Sequence, residues 1–425
     1  MAAGSGCGWT EGFSGLPGLN GSVYASVVFN DGSGDALYVG GGFTVAGEVV
    51  ANRIAKWDGT SWSALGTGMN DVVRALTVFD DGGGPALYAG GDFTTAGGVS
   101  VNRIARWDGT SWSALGTGMN STVYALTVFD DGGGPALYAG GNFATAGGVS
   151  AKNTAQWDGT SWSALGTGMS GVAVLALTVF DDGGGPALYA GGNFTTAGGV
   201  GAHRIARWDG TSWSALGTGM NGQVNALTVL DDGSGPALFV GGYFTTAGGV
   251  SVNRIARWDG TSWSALGTGM NDRVSALTVF DDGSGPALYA GRSFTTAGGV
   301  SANDVAQWDG TSWSALGTGM NRTVLALTAF DDGGGPALFA GGPFTTAGGF
   351  VSVYIAEWSC APRSPADFNA DGGVDLADYA FLQACMKGPA GAPLEEGCET
   401  ADVSGDGRVD LLDFALFQTP FGNVG

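Results

Sequence analysis

Histidine is all but missing from this chain, with one copy, His203, in 425 residues. That scarcity removes most general-base and imidazole–metal chemistry, including copper sites that need histidine and tyrosine ligands. His203 fills the slot held by Asn102 and Asn253 in sister segments and reads as a surface loop residue. Basic residues are scarce too. Sixteen Lys and Arg against 38 Asp and Glu leave a net charge of -22, which repels phosphate backbones and anionic lipid and argues against a nucleic-acid partner. No long apolar run is present, so no membrane insertion is expected. No segment carries a helical period outside the C-terminal tail. Met1 to Leu16 is glycine-rich and lacks the basic start and apolar core of a signal peptide. Also absent are a serine with a base partner, a metal triad and a phosphate-binding glycine loop. The many Gly-Gly pairs follow strands and lead into strands, which is not the dinucleotide arrangement. The chain is therefore expected to be non-catalytic, with carboxylate-only glycoside chemistry as the one open enzymatic route.

What the chain has in abundance is repetition. Trp-Asp-Gly-Thr-Ser-Trp-Ser-Ala-Leu-Gly-Thr-Gly-Met stands six times, from Trp57–Met69 to Trp308–Met320, at a period of about 50 residues. Equally regular pieces lie between these blocks: Ala-Leu-Thr-Val-Phe-Asp-Asp-Gly, Pro-Ala-Leu-Tyr-Ala-Gly-Gly and Phe-Thr-Thr-Ala-Gly-Gly-Val. The 82 glycines fall at fixed offsets and mark turns. Each unit predicts four short strands: a over Val73–Phe79, b over Ala86–Ala89, c over Arg53–Trp57 and d over Ser61–Leu65. Their two faces are both apolar or small, as suits a sheet packed between two others. Trp57 and Trp62 flank a tight turn and are expected to meet across it. The fold class is all-β: a seven-bladed β-propeller of four-stranded blades over residues 1–361, with a small α-helical calcium-binding domain over 362–425. The seventh blade is split between the chain ends, with strand d expected near Thr10 to Leu16 and strand c at Tyr354 to Trp358. Four cysteines allow three pairings. Their nested order favours Cys7 with Cys360, stapling the ring by roughly 5 kcal/mol, and Cys385 with Cys398. Disulfides imply an extracellular or cell-surface location.

Leu87-Tyr88-Ala89-Gly90-Gly91, then Trp107-Asp108, then Trp112 resembles the kelch motif, with its diglycine after strand b and its spaced aromatics. The likeness recurs over about 350 residues. Blade six departs from it, with Gly291-Arg292 in place of the diglycine.

The composition changes after Ala361-Pro362-Arg363-Ser364-Pro365. Asp367, Asn369, Asp371, Gly373, Asp375 and Asp378 take positions 1, 3, 5, 7, 9 and 12 of a calcium loop, with Gly372 at the sharp turn. Asp402, Ser404, Asp406, Arg408, Asp410 and Asp413 repeat the spacing. Position 7 contributes a backbone carbonyl, so Gly373 and Arg408 serve as well as any residue. Two such loops with aspartate at position 12 resemble a type I dockerin. That resemblance implies two bound calcium ions, a helix after each loop and a cohesin module as partner. Ser404 and the cysteine-bearing insert depart from the family pattern, and Leu376-Ala377 and Leu411-Leu412 hold the positions where dockerins choose partners.

Comparison of repeat with repeat points to one face of the propeller. Loops d-to-a and b-to-c share it, and they hold nearly all the variation. Tyr24, Arg74, Tyr124, Leu175, Asn225, Ser275 and Leu325 open strand a; Asp92, Asn142, Asn193 and Tyr243 follow the diglycine. Together they are the candidate binding surface. The opposite face is monotonous and acidic, with six Asp-Asp turns and six Asp-Gly turns. The basic residues outside strand c all map to the variable face. This asymmetry suggests a homo-oligomeric stack. The leading expectation is a non-catalytic binding or assembly protein, its partner a cohesin-like module, further copies of itself or a glycan. A structural subunit of a filament or layer and a carbohydrate-active propeller are the alternatives.

Overall fold

The computed structural model describes residues 7–10, 18–332 and 335–360. Seven antiparallel sheets of four strands follow one another, one of them extended by a fifth short strand. In the second blade strand a is Val73–Asp80, b is Pro85–Gly91, c is Ile104–Trp107 and d is Trp112–Ala114, hydrogen-bonded in the order a-b-c-d. The tryptophans face each other as expected. Trp107 pairs with Trp112 in register, with ring centroids 5.2 Å apart, a geometry that adds to the area the two rings bury.

Alternation within a blade does not build the core. Each apolar cluster lies between two blades: Phe29, Tyr38 and Ile54 of blade one pack with Leu87, Phe93, Trp107 and Trp112 of blade two. The diglycine explains how closely they approach. A Cβ on Gly90 would stand 2.6 Å from Cγ1 of Val123 in the next blade, and one on Gly40 would stand 2.4 Å from that of Val73. Only glycine admits the neighbour's valine. A hydrogen bond then ties six of the outer strands to the blade before: Trp112 Nε1 donates to the Leu65 carbonyl at 3.0 Å, and Trp162 to that of Leu115 at 3.0 Å.

Ring closure uses the same contacts. Leu37, Trp57 and Trp62 of blade one pack with Phe330, Phe339 and Ile355 of blade seven, and a Cβ on Gly341 would meet Val23 Cγ1 at 2.6 Å. Blade seven draws strand d from the start of the chain, but from Cys7–Trp9, not from Thr10 to Leu16. Trp9 is the reason. It is the blade's second tryptophan, 5.3 Å from Trp358, and its Nε1 donates to the Leu316 carbonyl at 2.9 Å. Cys7 and Cys360 are disulfide-bonded. The chain divides into two compact units, one of Trp9–Gly333 with Ala337–Trp358, the other of Met1–Gly8, Gly334–Pro336 and Ser359–Gly425. Cys385, Cys398, both calcium loops and the helices expected after them lie outside the described residues.

One repeated element was not anticipated. Thr95–Ala96 pairs with Val99–Ser100 in a small hairpin within the b-to-c loop, turned by Gly97 and Gly98 at φ +58° and +85°. Positive φ at both central residues gives the turn whose twist suits a two-residue hairpin. Met69, from the loop that enters the blade, bridges to Ala96 and holds the hairpin down.

The double substitution C7S/C360S is expected to lower the unfolding free energy of the propeller by roughly 5 kcal/mol, because the bond closes a loop of 353 residues in the unfolded chain. Guanidinium unfolding checks this. An unchanged midpoint would mean that Trp9 and its hydrogen bonds close the ring unaided.

Candidate functional site

Strand a enters blades one to six through a β-bulge. The register shifts between Val23 and Ala25, Val73 and Ala75, and Val123 and Ala125, and the same shift recurs in blades four to six. The residue between is left out of the ladder, which is how bulges re-aim a side chain. Tyr24, Arg74, Tyr124, Leu175, Asn225 and Ser275 all occupy this position. With Leu325 they line a single cavity of about 240 Å³ at the propeller mouth. The seven positions singled out at the start of strand a thus converge. Beneath them a second cavity of about 230 Å³ shares Tyr24, Arg74 and Tyr124 and continues between tiers of alanine and leucine such as Ala75, Leu76, Ala125 and Leu126. A mouth of charged and polar side chains leads into a neck whose side chains are mostly alanine and leucine.

The positions after the diglycine behave differently, and Asp92, Asn142, Asn193 and Tyr243 do not line the cavity. Asp92 instead holds Arg74 at 2.6 Å and accepts the Thr122 hydroxyl at 2.6 Å. Burial works against ionisation of Asp92, but Arg74, the Thr122 hydroxyl and Arg103 together outweigh it and keep the carboxyl below its usual range. The Arg74 guanidinium lies 5.5 Å from the ring centres of both Tyr24 and Tyr124. Tyr243 is exposed on the rim, with Arg254 at 4.7 Å and Arg273 at 5.3 Å from its ring centre.

Sequence comparison passed over three lining residues, Gln223, Arg273 and Arg292. Arg273 lies in the variable d-to-a loop before blade six, and Gln223 is the first residue of strand a in blade five. Arg292 had a visible signal, since it stands where six blades keep the second glycine.

The acidic face is more balanced than its composition suggests. In the Asp-Asp turns the first aspartate caps the turn: Asp80 Oδ1 accepts from Gly82 N at 2.8 Å and Gly84 N at 2.9 Å. Its neighbour Asp81 accepts the Tyr88 hydroxyl at 2.9 Å and pairs with Arg106 of strand c at 3.0 Å. Lys56, Arg207 and Arg257 make the equivalent pairs with Asp31, Asp182 and Asp232. Strand c cations therefore turn toward this face. The Asp-Gly aspartates are likewise engaged, Asp58 accepting the amides and hydroxyls of Thr60 and Ser61. Slight burial of Asp58 opposes ionisation, but these four bonds hold its pKa down at about 2.

Family comparison gives two matches. Residues 365–419 match the Dockerin type I domain. The chain is a seven-bladed propeller followed by a segment that matches the type I dockerin domain. Residues 163–331 match the Rax2 C-terminal beta propeller domain. The dockerin match carries calcium binding with it in general, and the oxygen-rich donor set of both loops suits that hard cation. No curated protein matches the chain. Among solved structures it is similar to two from B. thetaiotaomicron, described as the extracellular domain of a one component system and of a hybrid two component system. They are 13% and 14% identical, with TM-scores of 0.51 and 0.50, over 82% and 83% of this chain. The chain spans only 39% of the length of each, and the likeness is one of fold.

Asp304 marks a local conflict on the variable face. It takes the left-handed b-to-c slot at φ +64°, filled by Arg53, Arg103, Arg204 and Arg254 in other blades and by Asn153 in blade three. Burial raises its pKa to about 7, and it has no side-chain hydrogen bond among the described residues. A carboxyl whose folded pKa lies above its unfolded value supports folding below about pH 4 and loses that contribution as pH rises toward 7. D304N, which restores the blade-three solution, is expected to raise stability at pH 8 by about 1–2 kcal/mol after allowance for the group's partial exposure, and to change little at pH 4. Thermal melts at the two pH values check it.

Proposed function

We infer that this chain is an extracellular binding and assembly protein, in which a rigid propeller displays its mouth while the dockerin fastens it to a cohesin partner. The observation that carries the reading is the dockerin match over 365–419, which begins a few residues after the last propeller strand, Ile355–Cys360. A dockerin's work is attachment. Fused to a closed ring, it delivers the ring's mouth to wherever a cohesin stands. The Cys7–Cys360 bond fits an oxidising, extracellular setting. Every group lining the mouth suits binding: guanidinium, phenol, amide, hydroxyl and alkyl. On this reading the propeller is non-catalytic. Asp367, Asn369, Asp371, Asp375 and Asp378, with the Gly373 carbonyl, hold one calcium ion; Asp402, Ser404, Asp406, Asp410 and Asp413, with the Arg408 carbonyl, hold a second.

The full chain is expected to be retained on a panel of immobilised type I cohesins in millimolar calcium and released by chelator. The double substitution D371A/D406A should abolish retention while leaving the propeller's melting transition in place. Retention that persists in chelator, or no retention on any cohesin, would overturn the reading.

A further inference from the structure

The mouth is a cationic spot on a strongly acidic protein, and its charges are unevenly answered. Arg74 is matched by Asp92 at 2.6 Å. Arg273 and Arg292, across the cavity, make no ion pair among the described residues, and Arg292 Nε is buried without a hydrogen-bond partner. Burial and the neighbouring Arg273 charge both push the Arg292 pKa down; Asp272 opposes them from a distance but forms no ion pair with either arginine among the described residues.

This arrangement belongs to one side of the ring alone. At the Arg292 position six blades have glycine, where a Cβ would strike the facing strand; on Gly91 it would lie 2.1 Å from the Val72 carbonyl oxygen. Blade six accepts a side chain there and directs it into the mouth. The Arg292 carbonyl accepts from Val324 N at 3.3 Å, joining blades six and seven at that spot. Blades five and six supply the neighbours Gln223, Asn225 and Ser275, with Gln223 Nε2 fixed to Asn225 Oδ1 at 2.7 Å. The opposite side, Tyr24-Arg74-Tyr124, is closed on itself by stacking and by Asp92.

We propose that Arg292 and Arg273 bind the carboxylate of an acidic sugar residue, a uronate, whose hydroxyls are met by Gln223, Asn225 and Ser275. A guanidinium takes a carboxylate through two parallel hydrogen bonds. Amides and a hydroxyl beside it suit a ring bearing several hydroxyls. At about 240 Å³ the cavity falls below the size of drug-like pockets and admits one sugar ring. The protein's net charge of -22 disfavours the approach of a long polyanion, so the ligand presents a chain end to the mouth. This goes beyond the tethering role and does not depend on it.

Calorimetric titration of the full chain with trigalacturonate, neutral galactotriose and tetraglutamate tests the proposal. Binding of trigalacturonate alone is expected, weakened roughly tenfold to a hundredfold by R292G, which restores the glycine of the other six blades. R322A, exposed on the same face but outside the mouth, should bind as the parent does. Where R292G disturbs blade six, R292Q gives the same reading without the backbone change. No binding of trigalacturonate, equal binding of galactotriose, or indifference to Arg292 would overturn the site; tighter binding of tetraglutamate would overturn the sugar assignment. Capture on cohesin is measured separately, so failure of the mouth leaves the tail's role standing.

Discussion

Seven valines reach toward seven glycines around this ring, and the rest of the propeller depends on that approach. Val73 meets Gly40, Val123 meets Gly90, and the series ends with Val23 of the first blade against Gly341 of the last. Because each contact joins one blade to the next, no blade has a core of its own, and closing the ring completes the last apolar cluster. The indole hydrogen bonds of the outer strands act on the same interfaces from the rim. A chain built this way stabilises its termini by joining them, and Trp9 carries that join in exact analogy to Trp112.

The acidic character of the protein is largely a by-product of how its turns are made. Asp80 and its counterparts cap one turn and Asp58 and its counterparts the other. Asp81, with Tyr88 and Arg106, anchors the turn to the body of the blade. Four blades spend a strand c cation there. The face proposed for stacking on composition is thus partly neutralised from within. Its charge is a consequence of copying one well-satisfied turn around a ring.

Function resides where the copies disagree. In six blades a bulge at the start of strand a points one residue into the mouth, so substitution there changes the lining without touching the inter-blade packing. Tyr24, Arg74 and Tyr124 form a self-contained group on one side, while Arg273 and Arg292, which make no ion pair among the described residues, face them beside Gln223 and Asn225. In the proposed function, the rigid ring supplies placement and the dockerin-matching tail supplies attachment.

Much was legible from residue order alone. The seven copies of the Ala-Leu-Tyr/Phe strand set the blade count, and the cysteines flanking the repeats set the pair that joins them. The oxygen spacing from Asp367 to Asp378 and from Asp402 to Asp413 marked the dockerin. These are local patterns, readable because each lies within one copied unit or at its border. Tertiary structure decided what distant copies do together: that strand a residues about 50 positions apart line one cavity, that the residues after the diglycine stay outside it, that Cys7–Trp9 and not Thr10 to Leu16 completes the last blade, and that strand c cations answer the turn aspartates. Each of these turns on bulge geometry and on contacts between neighbouring sheets, where residues remote in sequence meet, and no spacing within a single repeat encodes them.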